Sequence, residues 1–133
     1  MTLHFSLFII ILYISKGGYI IEHELKLRPK YYDYILNGTK RIELRLNDEK
    51  RSLIKLGDII TFKKEPELVE NFKCEVIGLL NYKSFQELFE DFPIETLADN
   101  SMTKEELLEA LEEFYTKEKQ RKYNVIGIKL KLL

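Results

Sequence analysis

The sequence predicts an α+β fold built on a mainly antiparallel sheet or a small barrel. Five stretches have the character of half-buried strands, some with apolar and polar residues in strict alternation: residues 24–27, 41–47, 59–63, 72–82 and 126–131. Two or three helical segments lie between them, without the regular strand–helix alternation of a parallel sheet. The chain has 133 residues, of which 45% are hydrophobic, and this is enough for one domain with a single core.

The first predicted helix follows the strand at residues 24–27. It begins at Pro29, because the fixed φ and absent N–H donor of proline suit the first turn of a helix. Tyr31, Tyr32, Ile35 and Leu36 give it an apolar face. It ends at Asn37-Gly38, where a glycine can adopt the left-handed conformation without a Cβ clash.

Two further helices are predicted from their caps. Ser84 is a good cap for a short helix over residues 85–89. Thr103, with Glu106 three residues later, forms a capping box and begins the clearest helix of the chain. The apolar stripe of that helix consists of Leu107, Leu108, Leu111 and Phe114. The segment between these helices, at 94–101, is expected to be irregular, and the basic stretch at 117–122 is expected to be flexible.

The segment at residues 38–45 contains the candidate site. It reads Gly38-Thr39-Lys40-Arg41-Ile42-Glu43-Leu44-Arg45. Strand alternation places Glu43 and Arg45 on one face, with Ile42 and Leu44 on the other, and Lys40 lies at the start of the strand. An amine, a carboxylate and a guanidinium can therefore converge on one small volume. Such a site suits a phosphate, a nucleobase or a polar small molecule.

The net charge and the few cysteine and histidine residues argue against a broad nucleic-acid surface, a reactive thiol and a metal site. The formal charge of −1 gives no global cationic field for long nucleic acid, so any such contact needs a local patch. Cys74 lies on the apolar face of its strand and is predicted to be a buried, unreactive thiol. A single cysteine forms no internal disulfide, which favours a reducing compartment. His4 and His23 have no partner at metal-ligand spacing, and neither a metal nor a cofactor is predicted.

Residues 1–21 differ in character from the rest, and we assign them to an apolar leader that precedes a domain at 22–133. The apolar run at 7–14 is too short for an ordinary membrane span and lacks the flanks of a good signal peptide. A membrane anchor, a poor signal peptide and a stretch outside the natural protein are the competing interpretations. The third is favoured, because a purine-rich bacterial ribosome-binding site translated in frame would encode Ser15-Lys16-Gly17-Gly18. On this interpretation, the true start of the protein lies near residues 19–22. An additional strand or helix that packs on the domain is the remaining alternative.

Residues 38–45 match the Gly-x-Lys-x-x-Glu-x-Arg signature of ASCH domains, which belong to the PUA-like superfold. The flanks agree: residues 25–32 resemble the first strand and helix of the family, Gly57-Asp58 its turn, and residues 123–130 its closing strand. The resemblance covers roughly residues 22–132. It implies a small β-barrel of about five or six mainly antiparallel strands with two or three flanking helices and a cleft beside the signature.

The resemblance also implies a function. Families of this type are thought to bind RNA or nucleotides, so RNA or a nucleotide-like small molecule is the expected partner, and no reading of duplex DNA is expected. The predicted ligand-binding residues are Arg28, Gly38, Lys40, Glu43 and Arg45. A tyrosine among Tyr31, Tyr32 and Tyr115 is a candidate for stacking on a base, although helix-spaced aromatics usually belong to the core. A cytoplasmic location is expected, with membrane contact only if the leader is an anchor.

The alternative function is an amidohydrolase that acts on acylated nucleosides such as N4-acetylcytidine, with Lys40 and Glu43 as candidate catalytic residues. A lysine becomes a useful base or nucleophile when burial or neighbouring cations lower its pKa. The deacylating branch of the family has a threonine where this chain has Glu43, however. It also has an acidic residue before its long helix, for which Asp99 is an ambiguous match. Binding is therefore ranked first. A ribonuclease has less support, since no histidine lies near the signature, and a partner-binding protein is a third class.

Overall fold

The computed structural model describes residues 2–5, 8–15 and 18–133, with side chains from Tyr19 onward. Three predictions concern side chains outside this described part and are left as predictions. They are those for Lys16, for the apolar run at 7–14 and for His4. No helix in the described part of the chain has both the length and the apolar character needed to span a membrane.

In the described part of the chain, seven strands form one sheet in the order β1-β2-β3-β5-β6-β7-β4. They are β1 (Thr2–Phe5), β2 (Phe8–Ser15), β3 (Gly18–Leu27), β4 (Ile42–Leu46), β5 (Ile59–Lys64), β6 (Asn71–Tyr82) and β7 (Val125–Leu132). All neighbours pair in antiparallel fashion except β3 and β5, which are parallel. The α+β fold with a mostly antiparallel sheet is therefore confirmed, with five strands in the region from Gly18 onward. The pairing among the described strands leaves the sheet open, so closure into a barrel stays a prediction.

Strand β3 is longer than the predicted strand at residues 24–27. Its first half pairs with β2, from Ser15↔Gly18 to Ile11↔Glu22. From Glu22 onward it pairs in parallel with β5. The described strands provide no partner for the other edge of β3 over residues 23–27.

Five helices surround the sheet in the described chain, which is more than the two or three predicted. They are α1 (Pro29–Leu36), α2 (Phe85–Asp91), α3 (Ile94–Leu97), α4 (Lys104–Glu112) and α5 (Lys117–Tyr123), and a 3-10 turn spans Arg51–Leu53. The starts of α1, α2 and α4 are as predicted. The Ser84 hydroxyl caps α2 by accepting from the backbone N–H of Glu87. The capping box of α4 is complete, because the Thr103 hydroxyl accepts from the Glu106 N–H and the Glu106 carboxylate accepts from the Thr103 N–H.

Two expectations about the connections were wrong. Residues 94–101 contain the short helix α3, whose Leu97 is fully buried. Residues 117–122 belong to α5 and are not a flexible stretch. The Thr116 hydroxyl caps this helix by accepting from the Lys119 N–H. The buried Gln120 side chain fixes it to the domain by accepting from the Phe85 N–H and donating to the carbonyl of Tyr115.

Two hydrophobic clusters form the core. The first lies under α1 and contains Leu25, Phe62 and Ile128 among its members. The second lies between β4 and helices α2 to α4, and it contains the apolar side chains that alternation predicts on one face of β4. Cys74 is buried in the first cluster, and burial raises the pKa of its thiol to about 12, as expected for an unreactive cysteine. Leu36 and Phe114 were predicted on apolar helix faces, but both are nearly half exposed.

Candidate functional site

A tight turn carries the chain from α1 into β4 and positions the signature. Gly38 has a φ of +88°, which an L-residue with a Cβ rarely adopts. The backbone N–H groups of Thr39 and Lys40 both donate to the carbonyl of Tyr34, at 3.1 and 3.0 Å. The Asn37 side chain also accepts from the Thr39 N–H at 2.9 Å. The turn is thus fixed by local hydrogen bonds, and β4 begins at a defined register.

Lys40 is a buried ammonium group whose protons all have acceptors nearby. Its Nζ donates to the carbonyls of Ile42 at 2.5 Å and Leu97 at 2.7 Å, and it lies 3.5 Å from Oε1 of Glu43. The residue is only 3% exposed. Burial lowers the pKa of Lys40, and the Glu43 carboxylate opposes this effect. Lys40 therefore connects β4 to α3 and holds one oxygen of Glu43.

Arg45 holds the other oxygen of Glu43 and reaches a second strand. Its Nε donates to Oε2 of Glu43 at 2.7 Å, and its Nη2 donates to the carbonyl of Lys26 at 2.7 Å. The Lys26 carbonyl belongs to the half of β3 that lacks a backbone partner on this edge. The Arg45 guanidinium therefore bridges β4 and β3 where no backbone ladder joins them in the described sheet.

The buried pair Glu43–Arg45 is ionised. Burial alone would raise the pKa of Glu43, but Arg45 and then Lys40 lower it below its ordinary value. Burial would likewise lower the pKa of Arg45, and Glu43 outweighs this effect and raises it. The carboxylate is consequently an acceptor only, and the guanidinium is a donor only.

The three charged side chains form the floor of a cleft with a volume of about 350 Å³. One wall comes from β3 and α1, and the opposite wall comes from α4 and the turn after it. The exposed Lys26 and Arg28, together with the half-buried Glu65, stand at the rim. The rest of the lining is mostly apolar and consists of Leu27, Tyr31, Leu44, Leu107, Ala110, Leu111, Phe114 and Tyr115.

Two cations stand at the rim of the cleft, Lys26 and Arg28. Within residues 19–133, neither Lys26 nor Arg28 takes part in a salt bridge. The Arg28 guanidinium lies 4.2 Å from the centre of the Phe114 ring, in a cation–π contact across the opening of the cleft. These two cations are therefore available to an anion at the rim.

Comparison with known proteins identifies the family. The ASCH domain model matches residues 25–133, which is most of the chain. The chain belongs to the ASCH domain family. The resemblance inferred from residues 38–45 is thereby confirmed, and this ASCH domain includes the whole cleft. No curated protein matches the chain.

Solved structures agree with this assignment. The ASCH domain is similar to the crystal structure of the hypothetical protein PH0355, with 37% identity, a TM-score of 0.74, and coverage of 84% of this chain and 99% of that one. It is also similar to the solution structure of protein PF0455 from Pyrococcus furiosus, with 35% identity, a TM-score of 0.68, and coverage of 84% and 97%. A mutant of the ZmASCH protein from Zymomonas mobilis shares the fold, at 15% identity, a TM-score of 0.53, and coverage of 83% and 67%.

The structure brings most of the predicted site residues of the ASCH domain together. Lys40, Glu43 and Arg45 lie on the floor, and Arg28 lies at the rim. Gly38 does not line the cleft, and its observed part is to form the turn after α1.

The candidate stacking and catalytic residues also divide into those that line the cleft and those that do not. Tyr31 and Tyr115 line the cleft, whereas Tyr32 is buried in the core. Asp99, the ambiguous acidic match, is not among the lining residues, and its carboxylate accepts from the Ser101 N–H. It therefore does not complete a catalytic group on the cleft floor.

Eight lining residues were not predicted as site residues: the charged Lys26 and Glu65, and the apolar Leu27, Leu44, Leu107, Ala110, Leu111 and Phe114. Lys26 had a usable signal, because it alternates with Leu25 and Leu27 and so lies on the opposite face of β3. Phe114 had a misleading one, because its spacing on the helical stripe indicated a core position. Glu65 reaches the cleft because its backbone N–H donates to the Leu27 carbonyl, a contact between distant segments that no local pattern shows.

Proposed function

We propose that this chain binds one nucleotide unit, either within RNA or as a free nucleotide, with the base inside the cleft and the phosphate at the rim. The observation that carries the proposal is the layering of the cleft. A buried, ionised Glu43–Arg45 pair lies at the bottom, an apolar slot lies above it, and two cations without a salt bridge to any residue of 19–133 stand at the opening. A nucleotide has the complementary arrangement: a base with a polar edge and apolar faces, joined to an anionic phosphate.

The floor suits a base that carries an exocyclic amine. The Glu43 carboxylate can accept from such an amine, as carboxylates do from cytosine. Arg45 uses Nε and one proton of Nη2 within the protein, and this leaves its Nη1 protons for an acceptor on the same edge of the base. Cytosine and adenine present an amine beside a ring acceptor, whereas the corresponding edge of uracil lacks the amine. Tyr31 and Tyr115 in the walls provide surfaces for stacking.

Lys40 acts in this proposal as a positioning residue. Its ammonium protons are directed to two carbonyls and to Glu43, so it fixes the carboxylate and is not the main contact for a ligand. The phosphate is assigned to the rim, where Arg28 offers a planar fork and Lys26 a point charge. A local cation pair of this kind is needed in a chain with a net charge of −1. The proposal places the protein in the cytoplasm, where RNA and nucleotides are present.

An amidohydrolase is the second candidate, and the lowered pKa of Lys40 is the observation that favours it. Three features weigh against it. Glu43 occupies the position of the threonine in the deacylating branch, and Asp99 lies outside the cleft lining. Deprotonation of Lys40 would also leave two amine protons for three acceptors, namely the carbonyls of Ile42 and Leu97 and the Glu43 carboxylate, and a buried acceptor left without a donor costs free energy.

The proposal is tested by titrating the isotope-labelled protein with the monophosphates of cytidine, adenosine and uridine and following backbone NMR shifts. We expect the cytidine and adenosine nucleotides to bind more tightly than the uridine nucleotide, with shifts at residues that line the cleft. Arg28→Gln should weaken binding, and Lys30→Gln, which removes an exposed cation two residues further on that does not line the cleft, is the matched control. Absence of binding by all three nucleotides, or equal effects of the two variants, would refute the proposal.

The second candidate has its own assay. The protein is incubated with N4-acetylcytidine, and the release of cytidine is measured. We expect no turnover. Turnover that Lys40→Ala abolishes would reverse the ranking of the two functions, provided that circular dichroism shows the variant to be folded.

A further inference from the structure

We propose that the nucleotide in the cleft is part of a single RNA strand, and that Lys119 and Lys122 on α5 contact the phosphates next to it. This inference rests on the proposed function and deepens it, because it names the ligand as an oligonucleotide and assigns a second contact surface. That surface, here called the α5 phosphate stripe, consists of Lys119 and Lys122. It lies outside the cleft lining.

The stripe begins at the rim of the cleft. Nζ of Lys119 lies 3.5 Å from the carbonyl oxygen of Phe114, whose ring carries the Arg28 guanidinium at 4.2 Å. Phe114 thus has a cation on its ring and another at its backbone. A strand that leaves the cleft past Phe114 would meet Lys119 first.

The orientation of α5 determines which of its cations continue this path. Gln120 faces the domain, since its side chain bonds to the Phe85 N–H, the Tyr115 carbonyl and the Glu112 carboxylate. Residues three or four positions apart share a helix face, so Lys119 and Lys122 form one stripe. Lys117 and Arg121 form another stripe on the opposite side of Gln120. Of the two stripes, only the one with Lys119 and Lys122 has a contact at the cleft among the described residues, between Lys119 and the Phe114 carbonyl.

The charges of the stripe are open to an anion. Both ammonium groups belong to exposed residues, and neither takes part in a salt bridge within residues 19–133. Lys122 lies 5.1 Å from the centre of the Tyr123 ring, which restricts its side chain without neutralising it. Of the nearby carboxylates, that of Glu112 is bound to Gln120, whereas the exposed Glu118 lies one helical turn before Lys122 and forms no salt bridge with it in the described structure. Together with Lys26 and Arg28, the stripe makes a local basic path.

The shape of the cleft favours a single strand over a duplex. A volume of about 350 Å³ bounded by two walls admits a base that has left its stack, and single-stranded segments can present such bases. Proteins that bind single strands combine stacking surfaces with cations that follow the backbone. The cleft with Tyr31 and Tyr115 provides the first element, and the α5 phosphate stripe provides the second.

The experiment compares two double variants of the full chain that lose the same charge from the same helix. Lys119→Gln/Lys122→Gln removes the stripe, and Lys117→Gln/Arg121→Gln is the matched control. Binding of a short, fluorescently labelled single-stranded RNA is measured by anisotropy over a series of salt concentrations. Binding of cytidine monophosphate is measured in parallel, and circular dichroism verifies that both variants are folded.

We expect the stripe variant to lose two phosphate contacts. Each contact to a single strand contributes about 0.7 to the slope of log affinity against log salt, so the slope should fall by about 1.4. At a salt concentration of about 0.1 M this corresponds to a loss of roughly 25-fold in affinity for the RNA. The affinity for cytidine monophosphate should not change, and the control variant should retain most of the RNA affinity and slope.

The possible results separate this inference from the proposed function. If both double variants weaken RNA binding equally, or if neither does, while cytidine monophosphate still binds, the α5 phosphate stripe is refuted and the cleft stands. Preferential binding of duplex RNA over the single strand would also overturn the inference. If the wild-type protein binds neither the nucleotide nor the RNA, the proposed function fails and this inference fails with it.

Discussion

Replacing Glu43 by glutamine should destabilise the protein more than any other single amide substitution of a carboxylate in the described salt bridges. Glu43 is the only negative charge bonded to two buried cations, Lys40 and Arg45, within residues 19–133. At an effective dielectric constant of about 20, a carboxylate at 2.7 Å and 3.5 Å from two cations gains about 6 and about 5 kcal/mol before desolvation is subtracted. Removing one partner of a buried ion pair typically costs about 3–5 kcal/mol after that subtraction. We therefore expect Glu43→Gln to lose about 3–5 kcal/mol.

The measurement is urea unfolding followed by circular dichroism at neutral pH. With a denaturant slope of about 1.5 kcal/mol per molar, the expected loss moves the midpoint down by roughly 2–3 M. Since small domains have a total stability of about 5–15 kcal/mol, a variant that is already largely unfolded without urea also agrees with the prediction.

Glu24→Gln is the matched control for this experiment. Glu24 pairs with Lys63 at 2.8 Å on the exposed face of the sheet, where an ion pair is worth about 0–1 kcal/mol. The same chemical change should therefore shift the midpoint by less than about 0.7 M at the same denaturant slope. If the two variants shift equally, the reasoning from burial is wrong, and the buried ion trio contributes no more than a surface pair.

Four further results are expected. Because the pKa of Glu43 is lowered in the folded protein, its stabilisation is complete above the ordinary carboxyl pKa and is lost as the pH falls through the lowered value; urea curves of the wild type and Glu43→Gln should converge in acid, and a constant difference would contradict this. Cys74 should resist a thiol reagent at mildly alkaline pH until denaturant is added, because burial raises its pKa to about 12; rapid reaction of the native protein would be inconsistent with the buried thiol. Thr103→Ala should cost about 1 kcal/mol in urea unfolding through loss of the α4 cap, and an unchanged midpoint would show that the cap contributes nothing. Gly38→Ala should cost about 1–2 kcal/mol because of the positive φ, yet leave nucleotide affinity intact since Gly38 does not line the cleft; a variant that is stable but does not bind would place this glycine at the ligand.

Local patterns were sufficient for those elements of the fold that local forces determine. The capping box at Thr103, the proline at the start of α1 and the glycine after it each act within a few residues, and each was predicted correctly. The extension of β3 was missed because it buries polar side chains whose partners are far away in sequence. His23 bonds to Asp58 at 2.8 Å, and Glu22 accepts from the Thr61 hydroxyl at 2.7 Å. Without those partners, burial of either side chain would be unfavourable.

The sequence predicts which charged residues of the candidate site lie together, but not the hydrogen bonds that they form. Alternation along β4 places Glu43 and Arg45 on one face, and their contact follows from that spacing. The acceptors that complete the network lie elsewhere: the carbonyl of Leu97 is 57 residues from Lys40, and that of Lys26 is 19 residues from Arg45. The sequence therefore predicts Lys40 as a group available to a ligand, whereas the structure shows an ammonium whose protons are directed to protein oxygens.

The cleft and the gap in the sheet have the same origin. Two strands joined by a backbone ladder lie about 4.8 Å apart, which leaves no space for a ligand between them. In the described structure β4 pairs with β7 on one side, whereas the side facing Lys26 of β3 is bridged by the Arg45 guanidinium and not by a ladder. A side chain of this length can hold two strands at a wider separation and still satisfy the Lys26 carbonyl. The bridge also needs a counter-charge that stays ionised when buried, and Glu43 provides it. The charged residues of the signature thus support the opening that they line, which explains why a site of this kind can be built from residues that are almost fully buried.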